Sequence, residues 1–218
     1  MTPDPKAIIE EFCIICESAW TDYDFFQSLF KTDQWTSDLC NSIAPLLFEN
    51  LNGILHENLY IQFCRITDSS RTGKKSNLTT NYIVEQIRWP DEVGQKLREV
   101  NERLKAFRQH IEPARSKRIA HVDLFAQVER WDDLGAFPNG AEIRFLEDLQ
   151  TFVNIAYGYF HGGSSHPIRV AMATDTHQLV RALVKSAVFD RCSKCTKHER
   201  IVGVLDYEDR SSTPEDRP

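Results

Sequence analysis

Apolar residues recur every three or four positions along most of this sequence, and this period constrains the fold more than any other feature. In the first thirty residues one such stripe consists of Ile8, Phe12, Ile15, Cys16, Ala19 and Tyr23. The spacing predicts an amphipathic helix over about residues 6–30, because one α-helical turn takes 3.6 residues. No alternating apolar–polar run of comparable length indicates a sheet. The sequence therefore predicts an all-α fold.

The same period predicts further helices, separated by proline, glycine and polar segments. Their expected ranges are 37–66, 79–88, 91–111, 114–128, 141–160 and 176–189. Pro45 is expected to kink the first of these, and Pro113 to separate the helices on either side of it. Gly162 and Gly163 suit a left-handed cap after residue 160. We expect a bundle of about six helices.

The domain organisation follows from length and local composition. At 218 residues the chain is long enough for one sizeable core. We expect a helical domain over 1–190, a C-terminal extension with a CxxC pair over 191–205, and a disordered tail over 206–218. The tail is polar and has few apolar residues to bury.

Three further features indicate a soluble cytoplasmic protein. No apolar run approaches the length that crosses a bilayer, so we expect no membrane association. Residues 1–11 lack a basic start followed by an apolar block, so no signal peptide is expected. The six cysteines are expected to be reduced thiols.

Charge is distributed unevenly along the chain. The net charge is −6, yet residues 96–118 carry eight cations against three anions, and residues 1–24 carry one cation against six anions. A basic middle can bind a polyanion locally. The alternative is a solvated helix face on which Glu and Arg alternate.

The most informative segment of the basic region begins just after Pro113. In it Arg115 lies six positions before His121. On an ideal helix the two lie about 120° apart and about 9 Å along the axis, a gap that an arginine side chain spans. Both can then address one phosphate, together with N–H groups at the helix start. The alternative is a histidine that only decorates a basic surface.

The string RSKRIAH, residues 115–121, resembles the R-x4–6-H signature of the HEPN superfamily of helical ribonucleases and nucleotide-binding domains. The longer string RSKRIAHVDL resembles the AbiU-type abortive-infection branch. So does the segment CRITDSSRTGKKSNLT over residues 64–79. With the helix order, the resemblance covers about residues 6–189. This chain departs from the family pattern directly after Arg115. The family usually has a polar residue there, often Asn, and this chain has Ser116.

The resemblance implies a metal-independent endoribonuclease of phage defence or of a toxin–antitoxin system. His121 is expected to relay protons, because its side chain titrates near neutral pH. Arg115 is expected to hold phosphate oxygens and stabilise charge in the transition state. No metal and no other cofactor is expected. In this family two such motifs meet in a dimer, so we expect a homodimer.

Other residues of the motif are expected to bind the substrate RNA. Lys117 and Arg118 would hold flanking phosphates, and Ser116 offers a hydrogen-bonding group. Asp123 either orients His121 or faces solvent. An antitoxin or another defence protein is a further expected partner. The rival interpretation is a non-catalytic helical module that binds RNA, a nucleotide or a protein through the same basic face.

Three other segments contain residues typical of metal, phosphate or catalytic sites. Cys192, Cys195 and His198 supply three zinc-type ligands, but a structural zinc site needs four. A zinc-stabilised adaptor that uses these three residues is a third interpretation. Cys13 and Cys16 are expected to be core residues. The GKKS segment at 73–76 lacks the first glycine and the strand of a phosphate-binding loop. The HGGSSH segment at 161–166 is expected to stop a helix.

Overall fold

The computed structural model describes residues 3–31, 33–119, 135–169 and 173–194, and the chain is almost entirely helical there. The α-helices in these ranges are α1 (Pro5–Phe30), α2 (Gln34–Ile43), α3 (Pro45–Ile66), α4 (Thr80–Gln86), α5 (Asp91–Ala114), α6 (Ala141–Phe160) and α7 (Ala173–Lys194). One antiparallel hairpin of strands β1 (Arg71–Thr72) and β2 (Lys75–Ser76) lies between α3 and α4. The prediction of an all-α fold is confirmed. None of these described helices has the length and apolar content needed to span a membrane.

The region predicted as one kinked helix over 37–66 forms two helices instead. The chain breaks at Ala44, whose φ of −151° and ψ of 71° lie outside the helical region. Pro45 disfavours helical geometry at the residue before it and suits the first position of the next helix. Helix α2 also begins earlier than predicted, because Asp33 accepts a hydrogen bond from the Thr36 N–H at 2.6 Å and caps it.

The described chain divides into two compact units. The first comprises Met1–Phe26 and Asn52–Ala171. In its core Phe12 of α1 packs edge-on against Phe152 of α6, with ring centroids 5.9 Å apart. Helix α5 buries the apolar stripe that its period predicts: Leu97, Val100, Leu104, Phe107 and Ile111. This stripe packs α5 along α6.

The second unit comprises Gln27–Leu51 and Met172–Pro218. Within it, α2 packs against α7. Its buried residues are Leu29, Thr36, Cys40, Phe48, Thr176 and Val184. The predicted boundaries at 190 and 205 and the predicted tail stay predictions, since residues 195–218 lie outside the described ranges.

Helix α6 ends as its glycines predict. Gly162 and Gly163 have φ angles of +64° and +86°, a region that glycine enters at little cost. The Gly163 N–H donates to the Gly158 carbonyl, five residues earlier, at 2.8 Å, and this is the 6→1 hydrogen bond of a Schellman cap.

Gly135, the first described residue after Ile119, lies against Tyr60 of α3 and Ala114 of α5. Its φ is +88°, and its carbonyl accepts a 2.8 Å hydrogen bond from the buried Tyr60 hydroxyl. A Cβ at this position would lie 2.6 Å from Tyr60 Cε2 and 2.9 Å from the Ala114 Cβ. The chain therefore approaches the end of α5 at a point where only glycine fits.

We expect Gly135→Ala to lower the free energy of unfolding by about 3 kcal/mol, because left-handed strain and overpacking against Tyr60 add together. Urea unfolding measures this loss. Gly140→Ala is the matched control, since Gly140 has a φ of +74° but no atom within 4 Å of its would-be Cβ. It should cost only about 1 kcal/mol of backbone strain. Equal losses at the two positions would contradict the steric account.

Candidate functional site

The Arg115 segment begins where helix α5 changes its geometry. The helix does not end near Ile111 as predicted, but continues through Pro113 to Ala114. Residues Arg115–Ile119 then form a π-helical turn. Proline has no N–H to donate and crowds the preceding turn, so a wider turn directly after it is a natural outcome. The angle estimated for a regular helix therefore does not apply at the start of the motif.

Arg108, about two helical turns before Arg115, is the centre of a polar network. Its Nη1 donates to the Thr67 carbonyl at 2.7 Å, and its Nη2 donates to Asp68 Oδ1 and Glu112 Oε1, each at 3.0 Å. Burial lowers the pKa of Arg108, but the adjacent carboxylates Asp68 and Glu112 raise it by more. Only 15% of this side chain is exposed. Arg108 is thus a permanent cation committed to joining α5 to the end of α3.

Asp68 is held in place by the backbone at the end of α3. Thr67 is fully buried, and its hydroxyl donates to the Phe63 carbonyl at 2.8 Å. The Asn81 amide of α4 donates to the carbonyls of Thr67 and Asp68 at 3.1 and 2.8 Å. Asn101 of α5 in turn donates to the Asn81 side-chain oxygen at 2.9 Å. Contacts from α4 and α5 therefore hold the backbone at Thr67 and Asp68, and Arg108 binds the Asp68 carboxylate itself.

Arg115 lies at the edge of this network and differs from Arg108. Its Nη2 lies 4.0 Å from Asp68 Oδ2, which is an ion-pair distance but too long for a hydrogen bond. One third of the Arg115 side chain is exposed, twice the fraction of Arg108. The arrangement presents Arg115 as an oriented cation that solvent or a ligand can reach.

A buried thiol, Cys64, lies beneath the two arginines. Burial raises its pKa to about 11, although the charges of Arg108 and Arg115 lower it in part. The thiol therefore stays protonated near neutral pH and is a poor nucleophile. Cys64 contributes packing rather than chemistry to this site.

An open pocket of about 390 Å³ adjoins the network. Polar side chains from the α3–β1 loop, α4 and α5 line it, including Ser69, Ser70, Asn81, Arg108 and Glu112. Its polar character suits a hydrated or charged ligand better than an apolar one.

Comparison with known families identifies the kind of helical domain that carries this site. Residues 5–173 match HEPN_AbiU2, described as AbiU2, which is more than half of the chain. The chain belongs to the AbiU2 family of HEPN domains. No curated protein and no solved structure gives a significant match.

The AbiU2 match confirms the resemblance drawn from the sequence. The matched range contains both segments that carried it, 64–79 and 115–124. These segments meet in the structure, because Asp68 of the first lies beside Arg115 of the second.

The remaining motif residues of this AbiU2-family chain differ in how far the structure describes them. The Ser116 hydroxyl donates to the Glu112 carbonyl at 2.6 Å, so its proton is engaged within the helix. Lys117 is exposed. Arg118 is described only in its backbone, and His121 and Asp123 lie outside the described residues.

Sequence reasoning did not identify Arg108, Glu112, Asn81 or Asn101 as parts of the site. One of the four carried a usable signal: Asn101 follows Val100 on the buried side of α5, where a polar residue needs a partner. The others look like ordinary surface residues of a helix. Glu112 contacts Arg108 only four residues away, a spacing common on helix surfaces. The contacts of Asn81 and Arg108 with the end of α3 span 13 to 41 residues, which the local sequence pattern does not contain.

The proposed zinc ligands are not tested, since Cys195 and His198 lie outside the described residues, as does the side chain of Cys192. Within the described ranges no three His, Cys, Asp or Glu side chains are grouped to hold a metal ion. Cys13 and Cys16 are buried free thiols, as predicted.

The two histidines of the HGGSSH segment contact carboxylates of helix α1. His161 Nε2 lies 3.1 Å from Glu10 Oε1, and His166 Nε2 lies 2.5 Å from Glu17 Oε1. The Tyr157 ring stacks on His161 with centroids 3.7 Å apart. These contacts join the segment after α6 to α1 and support the structural role that its sequence predicts.

Proposed function

We propose that this AbiU2-family chain is a metal-independent endoribonuclease that acts in phage defence or as the toxin of a toxin–antitoxin system. The single observation that carries the proposal is the placement of Arg115, which stands beside Asp68 in a domain of the HEPN type. Arg108 and Asp68 hold the structure around it, and Arg115 remains accessible. An accessible, oriented arginine suits recognition of a phosphate by two parallel hydrogen bonds.

The reaction needs no group beyond the RNA and these side chains. The ribose 2′-oxygen attacks the adjacent phosphorus, the bond from phosphorus to the 5′-oxygen breaks, and the products are a 2′,3′-cyclic phosphate and a 5′-hydroxyl. His121 accepts the 2′-OH proton or donates one to the leaving 5′-oxygen. Arg115 stabilises the negative charge that accumulates on the phosphate oxygens. Lys117 and Arg118 bind neighbouring phosphates.

We further propose that two copies act together. Phosphodiester transfer benefits from both a base and an acid, and one chain supplies a single motif histidine. A two-fold axis near the 113–125 segment would bring His121 close to its mate. The homodimer then supplies both proton-transfer groups without a second motif in the chain.

The second candidate is a module that binds RNA, a nucleotide or a partner protein, such as an antitoxin, without cleaving RNA. The Ser116 hydroxyl favours it, because its only proton is donated to the Glu112 carbonyl. A phosphate oxygen accepts hydrogen bonds and does not donate them. Ser116 therefore binds phosphate through its side chain only after releasing that internal bond.

Cleavage in the presence of excess EDTA separates the two candidates. Purified full-length protein should cut single-stranded RNA under these conditions and leave 2′,3′-cyclic phosphate or its opened form, detected by mass spectrometry of the fragments. Addition of Mg²⁺ should not change the products. RNA that is bound but remains intact from about pH 6 to 9, a range spanning the usual His titration, would establish the binding module instead.

A further inference from the structure

The β1–β2 hairpin concentrates positive charge next to the candidate site. Arg71, Lys74 and Lys75 are exposed, and the surrounding residues 69–78 contain no acidic side chain. Within the described ranges, none of the three cations lies within ion-pair distance of a carboxylate. The nearby ion pairs instead join Arg108 and Arg115 to their own acidic neighbours. The hairpin therefore carries a local charge of +3 in a chain whose net charge is −6.

The hairpin is an ordered element. Gly73 opens its two-residue turn with a φ of +59°, as tight hairpin turns require. At its base the Asn77 side chain donates to the Ser69 carbonyl at 3.0 Å and to the Thr72 hydroxyl at 2.8 Å. Cations on an ordered element lose less conformational entropy when they bind than cations on a flexible loop.

The cations surround the tip of the hairpin. Arg71 pairs with Ser76 and Thr72 pairs with Lys75, so Arg71 and Lys75 belong to opposite faces of the two-stranded sheet. Lys74 lies in the turn between the strands. A nucleic-acid strand that passes the tip thus meets positive charge on either face.

The hairpin begins close to Asp68, the neighbour of Arg115. Three residues of extended chain span at most about 11 Å, which limits the distance between the Asp68 and Arg71 Cα atoms. Within the loop between α3 and β1, the Ser70 hydroxyl donates to Glu85 of α4 at 2.5 Å and anchors the loop. The hairpin is therefore within a few nucleotides' length of a phosphate bound at Arg115.

We propose that the β1–β2 hairpin binds the backbone of the substrate RNA strand beside the phosphate that Arg115 holds. The proposal rests on the proposed function, since it assumes RNA at Arg115, and it adds a second contact that positions the strand. Contacts to phosphates fix register without reading sequence. The hairpin accordingly confers affinity and strong salt dependence rather than base preference.

The test compares two triple variants of full-length protein in a His121→Ala background, so that the RNA stays intact during the measurement. One is R71A/K74A/K75A. The matched control, K6A/R88A/R98A, removes three exposed cations, one each from α1, from the segment between α4 and α5, and from α5. Fluorescence anisotropy with a labelled single-stranded RNA gives Kd over a range of salt concentrations. Circular dichroism checks that both variants are folded.

For the hairpin variant, the plot of log affinity against log salt should lose about 2 from its slope, because each phosphate contact on a single strand contributes about 0.7. The affinity at about 0.1 M salt should fall on the order of 100-fold. The control should retain the slope of the His121→Ala parent. Equal slopes for the hairpin variant and that parent, or equal losses in both triple variants, would overturn the inference.

Failure of this inference is distinguishable from failure of the proposed function. If wild-type protein cleaves RNA in EDTA while the hairpin variant binds like its parent, the hairpin inference is wrong and the endoribonuclease stands. If RNA is bound through the hairpin and never cleaved, the inference holds and the catalytic proposal is wrong. If the protein binds no RNA at any salt concentration, both are wrong.

Discussion

Replacing His121 with alanine should lower the single-turnover rate of RNA cleavage by about 10²–10⁴-fold, the usual contribution of a positioned acid–base group. RNA binding should change little, because a histidine that transfers protons contributes mainly in the transition state. Quenched time courses with excess enzyme measure the rate, and anisotropy with the same RNA measures binding.

His110→Ala is the matched control, since His110 is an exposed histidine on helix α5, eleven residues earlier. Its rate should equal that of the wild type. A folded His121→Ala protein that cleaves at the wild-type rate would exclude His121 as the proton-transfer group.

Replacing Arg115 with alanine should lower the rate by about 10²–10³-fold, comparable with the loss of one preorganised donor to a developing oxyanion. Arg115→Lys should recover only part of this rate. An ammonium retains the charge near Asp68 but cannot make two parallel hydrogen bonds to a phosphate. The lysine variant therefore separates charge from geometry.

Arg103→Ala supplies the control for charge. Arg103 lies on helix α5, which precedes the Arg115 turn, in a surface ion pair with Asp148 at 2.7 Å, and half of its side chain is exposed. Arg103→Ala changes the net charge by the same amount as Arg115→Ala. It should leave the rate of RNA cleavage unchanged and the free energy of unfolding nearly unchanged. If both alanine variants lose the same rate, the effect of Arg115 is a general one of charge, and its assignment to the site is wrong.

The helices of this protein could be predicted from its sequence because their signal is local. The stripe from Leu97 to Ile111 repeats every three to four residues, and burial of that stripe fixes both the helix and the face that it turns inward. The helix stop at Gly162 and Gly163 was equally readable. Each of these features depends on residues within a few turns of one another.

The proline effects and the polar network could not be predicted in the same way. Pro45 starts a helix where a kink was expected, while Pro113 remains inside one and is followed by a π-helical turn. Pro45 follows the local preference of proline for the first position of a helix, whereas Pro113 departs from the rule that disfavours proline in a helix interior. Locally Arg108 shows only the i,i+4 spacing to Glu112, which is common on helix surfaces, while its partner Asp68 is forty residues away.

The contact between Ala114 and Gly135 has a consequence for how the site can vary. A Cβ on Gly135 would lie 2.9 Å from the Ala114 Cβ, and Ala114 is the residue directly before Arg115. Any residue larger than glycine at position 135 should therefore displace the end of α5 and, with it, the backbone that carries Arg115. The position of the candidate phosphate-binding arginine thus depends on a glycine twenty residues later in the chain.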